Sequence, residues 1–291
     1  MPELPEVETI VRGLNKLLVG RSILSINFDN PKSFPNNPND VDKFLIKSKI
    51  NSVHRRGKVI IINLSTDYSL ITHLKMTGQL IYRNKQQSFG GGHPNDSLIG
   101  RLPDKSTRVV IDLDNSSKLF FNDQRKFGWM RLLPTIEIVN IDFFNKLGPE
   151  PLDSSFTWQN FDDRLQKRSN SSIKPVLLDQ SILAGIGNIY ADESLWMSRI
   201  HPATKVNKLS KDEIKDLYSN IKKVLNLSID KGGSTDRNYL NAEGKKGSYL
   251  EFANVFRKEG EPCSRCSAII VKFKLNGRGT HICPDEQRLV K

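Results

Sequence analysis

Three groups of residues in this chain have the types and spacing for chemistry, and the first opens it: Met1-Pro2-Glu3-Leu4-Pro5-Glu6-Val7-Glu8. Removal of Met1, which a small second residue such as proline permits, leaves Pro2 with a free secondary amine. A free α-amino group titrates at about pH 8, so a useful fraction is uncharged at neutral pH. Burial and nearby carboxylates tune it further. A secondary amine that attacks a sugar C1′ forms an iminium, a cationic electron sink, and Glu3 stands beside it as acid and base. The same residues also suit the first turn of a helix, where proline fits and carboxylates meet the positive end. The second group is Cys263-Ser-Arg-Cys266, separated by residues 267–282 from Cys283-Pro-Asp-Glu286. Three cysteines confined to the last thirty residues form no disulfide framework but have the spacing of a zinc ribbon. Glu286 or His281 could complete four ligands, and a finger without stable metal is the alternative. So short a ribbon buries little apolar surface alone, so zinc is expected to supply much of its folding energy. The third group, Gly185-Ile-Gly-Asn188, opens a helix whose unpaired amides would attract an anion. A plain helix–helix turn is the other reading, and no βαβ pattern surrounds it to suggest a nucleotide fold.

These groups need elements to position them. Val7, Ile10, Val11, Leu14 and Leu18 recur at helical spacing, so a helix after Pro5 would hold the N-terminus in place. Runs rich in β-branched and aromatic residues follow at 22–28, 50–54, 59–64, 69–73, 79–82, 108–113, 118–121 and 129–133. That pattern predicts an antiparallel sandwich or barrel over residues 1–135. The polar stretch 86–105, with Gly90-Gly-Gly-His-Pro94, reads as a flexible hairpin insertion. A linker is expected at 136–156, a helical domain at 157–250 and the ribbon at 251–291, giving an α+β chain. Short helices are expected at 161–167 and 176–179, with another at 188–199. The clearest helix starts at Ser210, where Ser-Lys-Asp-Glu213 is a capping box, and ends at Gly232-Gly233. Residues 234–250 read as a mobile loop. With 44 Lys and Arg against 32 Asp and Glu, the net charge of +12 favours a polyanionic partner, nucleic acid before an anionic membrane surface. No apolar run or basic leader suggests a membrane anchor or signal peptide, so a cytosolic or nucleoid-associated protein is expected.

The opening octapeptide, Leu147-Gly-Pro-Glu-Pro-Leu152, Ala184-Gly-Ile-Gly-Asn-Ile-Tyr-Ala-Asp-Glu193 and Gly277-Arg-Gly-Thr280 together resemble the formamidopyrimidine-DNA glycosylase family, in its order and over nearly the whole chain. The resemblance implies a β-sandwich with a leading helix, a helix-two-turn-helix domain and a zinc finger. It also implies a glycosylase and abasic-site lyase that excises oxidised purines from duplex DNA through a Pro2 Schiff base. By the same resemblance Glu3 shuttles protons with Glu6 in support. Lys58, in His54-Arg-Arg-Gly-Lys58, reaches the damaged nucleotide. Met76, Arg125 and Phe127, in His73-Leu-Lys-Met-Thr-Gly78 and Asn122-Asp-Gln-Arg-Lys-Phe-Gly128, fill the gap left by an extruded base. Asn170, Lys174, Asn188 and Arg278 hold phosphates. Three residues depart from the family pattern. Glu286 stands where the family has cysteine, and Ser106 and Arg108 stand where it often has His-x-His. An endonuclease VIII-type enzyme for oxidised pyrimidines is the near alternative, disfavoured by Leu4-Pro5 and by Arg125-Lys-Phe127. A non-catalytic zinc-ribbon protein that binds nucleic acid is the distant one. A monomer on damaged DNA is expected.

Overall fold

Val7, Ile10, Val11, Leu14 and Leu18 lie on the buried face of helix α1, Leu4–Leu18, each no more than 6% exposed. The computed structural model describes residues 1–93, 95–234 and 248–289. Contacts divide the chain into two units, Met1–Asn145 with Lys231–Ser248, and Lys146–Asp230 with Tyr249–Lys291.

Among the described residues, the first unit has nine antiparallel strands: β1 Ile23–Phe28, β2 Ile50–Arg56, β3 Val59–Leu64, β4 Tyr68–His73, β5 Gly78–Arg83, β6 Ser88–Gly92, β7 Thr107–Leu113, β8 Lys118–Asp123 and β9 Trp129–Pro134. They form a five-stranded sheet in the order β1-β7-β8-β5-β6 and a four-stranded sheet in the order β2-β3-β4-β9. The inner faces share one core with α1, to which Ile60, Ile62, Leu70, Leu80, Val109, Ile111 and Phe121 contribute. Alternation sends the other face of β3 elsewhere: Val59 and Ile61 pack with Ile71, Ile138 and Trp129. Both faces of β3 are therefore covered, which is why residues 59–62 are an unbroken apolar run.

The hairpin expected within residues 86–105 is present, and it is built into the sheet and the core. Strand β6 pairs with β5 at the edge of the five-stranded sheet, and Phe89, 1% exposed, packs into the main core. The Arg83 guanidinium donates to the carbonyls of Ser97, Leu98 and Gly100, which pins the turn beyond. Three consecutive glycines conceal this strand in the sequence, because they carry no side-chain pattern.

In the second unit, helices span Trp158–Gln166, Ile173–Leu178, Asn188–Met197 and Lys211–Asp230. The capping box at the last one forms as read. Glu213 N donates to Ser210 Oγ at 3.2 Å, and Ser210 N to the Glu213 carboxylate at 2.8 Å. A two-stranded ribbon follows, β10 Val271–Leu275 and β11 Arg278–Ile282. Its two-residue turn puts Asn276 at φ 47° and Gly277 at φ 76°, the left-handed pair that a tight hairpin requires. Residues 235–247 of the expected mobile loop lie outside the described residues.

Candidate active site and nucleic-acid interface

At the start of α1, Pro2 is buried and Glu3 and Glu6 are 4% and 7% exposed. Glu3 is the N-cap of a capping box, in which Glu6 Oε2 accepts from Glu3 N at 2.9 Å. The other carboxylate oxygen of Glu6 accepts from Ser234 N at 2.8 Å. Glu6 thus spends both oxygens on backbone amides, which ties the start of α1 to the segment at Ser234 rather than leaving it to fray. One turn on, Glu8 pairs with Arg55 at 2.8 Å and so ties α1 to the β2–β3 hairpin. Lys58 lies in that hairpin's turn, after Gly57 at φ 56°, and is 6% exposed. It is close enough to His73 to act electrostatically on it. Burial first, then Lys75 and Lys58, push the His73 imidazole down to about 3. His73 Nδ1 accepts from Lys75 N at 2.9 Å, so the ring is neutral and shapes the turn that follows.

That turn carries Met76. The β4–β5 connection and the β8–β9 connection both cross from one sheet to the other, and they lie side by side because Gly78 pairs with Asp123 and His73 with Trp129. Met76 is 40% exposed and Phe127 55%, and the Arg125 guanidinium sits 4.8 Å from the Phe127 ring centroid. Each loop holds a lysine in the left-handed region beside its apolar residue, Lys75 at φ 50° and Lys126 at φ 57°. Two large apolar side chains presented to solvent on strained backbone mark a surface made for contact. Ser106 and Arg108 face inward. Arg108 is bonded to Asp29, Lys105 O and Asp123 O, and Ser106 to Asp104.

In the second unit, Arg278 is exposed at the ribbon turn. Its neighbour Gly279 O accepts from Asn188 Nδ2 and from Lys174 Nζ, both at 2.9 Å. The Lys174 ammonium also bonds Thr280 Oγ1 at 2.8 Å and pairs with Asp192 at 2.7 Å. At 1% exposure, with its three donors turned into the protein, Lys174 serves as a buried tie under the ribbon rather than as a surface cation. Lys174, Arg278, Pro175, Leu178 and Leu275 line a cleft of about 230 Å³. Asn170 is exposed and accepts from Asn207 Nδ2 at 3.0 Å.

The sequence alone assigns no role to Asp192 and Glu193, which close the motif Ala184-Gly-Ile-Gly-Asn-Ile-Tyr-Ala-Asp-Glu193. Asp192 accepts from His281 N and meets His281 Nδ1, both at 3.1 Å. Glu193 accepts from Asn254 N, Asn254 Nδ2, Val255 N and Phe256 N at 2.8–3.0 Å. Burial raises the Glu193 pKa against the pull of these four bonds. Consecutive acids in a helix otherwise buried from Tyr190 to Trp196 are the signal that points to them.

The sulfur atoms of Cys263, Cys266 and Cys283 lie within 4.8 Å of one another, with Cys266 and Cys283 at 3.3 Å. Zinc–thiolate bonds of about 2.3 Å in a tetrahedron place sulfurs roughly 3.8 Å apart, so the cluster fits the ion. Burial and the adjoining thiols push the Cys283 pKa up to about 11, a crowding that a cation among the sulfurs would relieve. His281 stands between Asp192 and Glu259, and Glu286 Oε2 meets Arg199 at 2.8 Å and Arg265 at 3.5 Å.

A β-sandwich led by a helix, then a helix-two-turn-helix domain closed by a zinc finger, defines the class. The chain belongs to the formamidopyrimidine-DNA glycosylase family. Residues 1–130 match the formamidopyrimidine-DNA glycosylase N-terminal domain, 147–239 its H2TH domain, and 260–285 the zinc finger found in FPG and IleRS. The formamidopyrimidine-DNA glycosylase of Lactiplantibacillus plantarum is 42% identical over 294 residues, covering 99% of this chain and 100% of that protein. The Lactococcus lactis protein in complex with abasic-site DNA is 36% identical with a TM-score of 0.86, covering 98% of this chain and 99% of that one. A mutant of it with Fapy-dG-containing DNA gives 0.87 at 36% identity, covering 99% and 100%.

Proposed function

We propose that this base-excision-repair glycosylase is bifunctional, excising 8-oxoguanine and formamidopyrimidines from duplex DNA and then cleaving the strand as an apurinic/apyrimidinic lyase. The observation that carries the reading is the buried Pro2–Glu3 start of α1, with Glu6 holding Glu3 N through one carboxylate oxygen and Ser234 N through the other. With Met1 removed, the Pro2 nitrogen bonds to C1′ as the glycosidic bond to the base breaks, and the nitrogen sheds its proton. Glu3 delivers a proton to the ring oxygen as the sugar opens to the iminium. Loss of the C2′ proton then expels the 3′ phosphate, and a second elimination expels the 5′ phosphate. Water then hydrolyses the remaining iminium and frees Pro2, and because each step is a substitution, elimination or hydrolysis without net oxidation or reduction, no redox partner enters.

Lys58 reaches the damaged nucleotide and assists proton transfer. Asn170, Asn188 and Arg278 hold the flanking phosphates, with Lys174 supporting the ribbon from beneath. Met76, Arg125 and Phe127 occupy the space of the extruded nucleotide. Zinc is held by Cys263, Cys266 and Cys283, with Glu286 as fourth ligand through a carboxylate that it shares with Arg199. Residues 1–135 serve as the catalytic part, 136–156 as linker, 157–250 as the helical DNA-binding part and 251–291 as the finger. The working form is a monomer on damaged DNA in the cytoplasm, associated with the nucleoid. No helix among the described residues is long and apolar enough to cross a membrane.

Borohydride trapping on damaged duplex DNA tests the chemistry. The cross-linked peptide is expected to map to Pro2, and Pro2→Gly to reduce trapping to near background. A cross-link that maps to Lys58 or another lysine in the wild-type protein overturns the assignment.

A further inference from the structure

The two loops bearing the exposed apolar residues are joined by a buried side-chain chain that the proposed chemistry does not use. Thr77 Oγ1 donates to Asp123 Oδ1. The same hydroxyl accepts from Arg125 N at 3.1 Å, and Asp123 Oδ1 accepts from that amide at 3.2 Å. The second oxygen of Asp123 accepts from Gly128 N at 2.6 Å. The backbone of Asp123 is held as well, its amide donating to Ser106 O at 2.8 Å and its carbonyl accepting from Arg108 Nε at 2.9 Å. Asp123 is fully buried and Thr77 8% exposed.

Space around this chain is equally constrained. A Cβ on Gly78 would lie 2.3 Å from Leu74 O, and one on Gly128 would lie 2.8 Å from the Phe121 ring and 3.1 Å from Asp123 Oδ2. The Met76 loop therefore closes on itself through Gly78, and the Arg125–Phe127 loop closes on Asp123, with Thr77 bridging them.

We propose that Thr77 and Asp123 are positioning residues that make Met76, Arg125 and Phe127 a single rigid wedge, so that the two loops enter the duplex together and not one at a time. This rests on the reading of those three residues as gap fillers. A wedge whose halves are tied in advance loses no loop entropy at the moment the base leaves the stack. A merely structural Thr77–Asp123 pair would affect every step that the folded enzyme performs. A positioning pair affects the step in which an intact base must be displaced.

The test compares Thr77→Val, which keeps shape and removes the hydroxyl, with Thr77→Ser, which restores it, and Asp123→Asn, which sets an amide donor against either Gly128 N or Arg125 N. Met76→Ala serves as the direct probe of the wedge. Each variant is measured for excision of 8-oxoguanine from intact duplex and for cleavage of a preformed abasic site. Fluorescence of 2-aminopurine opposite the lesion reports wedge entry. Thr77→Val is expected to lower the ratio of excision to abasic-site cleavage about tenfold, the scale of one lost buried hydrogen bond. It should also slow the fluorescence change, while Thr77→Ser recovers most of both and Asp123→Asn matches or exceeds the loss. If Met76→Ala lowers the ratio and Thr77→Val leaves it unchanged, the rigid-wedge proposal is overturned while the gap-filling reading stands. An unchanged ratio in Met76→Ala overturns both. Equal loss of the two activities in Thr77→Val, with reduced thermal stability and no rescue by serine, would make the pair structural and overturn the proposal.

Discussion

His73 illustrates how one buried residue can serve packing and site geometry together. Its ring packs edge-on to Phe143 at 5.5 Å, and its Nδ1 accepts from the Lys75 amide, so the neutral form is built into the Met76 loop. Its folded pKa of about 3 lies below the unfolded value of about 6.5. As pH falls through that interval the unfolded chain takes up a proton that the folded chain refuses. The stabilisation is full above pH 6.5 and is lost toward pH 3, at a limiting slope of about 1.4 kcal/mol per pH unit for one proton. Urea unfolding between pH 4.5 and 7 should show this slope, and His73→Gln should flatten it by close to one proton. An equal slope in the variant would place the proton elsewhere. At this scale the sequence was legible where structure follows from local spacing, as with Glu3 and Glu6 at the head of α1. It was opaque where the role comes from a distant partner. Asp123 and Thr77 are 46 positions apart, and Lys174 and Thr280 106, and nothing local announces either pairing.

Strands were legible because eight of the nine among the described residues of the first unit alternate or run apolar between turn residues. The ninth, β6, was not, since Gly90, Gly91 and Gly92 leave only Phe89 as a packing signal. Its necessity is visible from α1. A Cβ at Gly13 would lie 2.1 Å from the Phe89 ring. Alanine in place of a mid-helix glycine gains about 1 kcal/mol in propensity, but overpacking a core typically costs about 1–3 kcal/mol. With 2.1 Å of separation and a ring only 1% exposed, packing wins. Gly13→Ala should therefore destabilise the protein, and Phe89→Leu, which vacates the space, should restore part of the loss in the double variant. Guanidinium unfolding of the two single variants and the double variant gives the coupling directly. Additive effects would mean that α1 does not rest on β6. Because Pro2 stands at the head of α1, the same variant should weaken borohydride trapping more than it weakens DNA binding.

Over the whole molecule, α+β organisation and the order sandwich, helices, ribbon could be read from patterning and spacing. The footing of the ribbon could not. Taken alone, a segment of about thirty residues depends on its metal to fold, since chains below about 40 residues seldom bury enough surface. But the ribbon is not alone. Lys174 and Asn188 hold Gly279 O, Asp192 holds His281, Gln287 Nε2 donates to Ile200 O at 2.9 Å, and Arg265 Nη1 donates to Trp196 O at 2.9 Å. Buried polar groups paired in this way cost much to pull apart, with or without an ion. Stripping zinc should accordingly act in two grades. Amides of residues 263–268, whose turns are organised around the thiolates, should lose hydrogen-exchange protection. Those of Gly279, Thr280 and His281 should keep most of theirs, and Arg278 should remain able to bind DNA with affinity reduced by less than about tenfold. Hydrogen exchange with and without chelator, alongside DNA titrations at fixed salt, reads both grades. Loss of protection throughout 271–282 would mean that zinc and not the buried network founds the ribbon. Glu286→Cys bears on the same balance, because a fourth thiolate should slow removal of zinc by chelator if position 286 faces the metal. The same change removes the carboxylate that pairs with Arg199 and Arg265. If Glu286 serves only those arginines, chelator resistance stays level and the thermal transition of the variant falls.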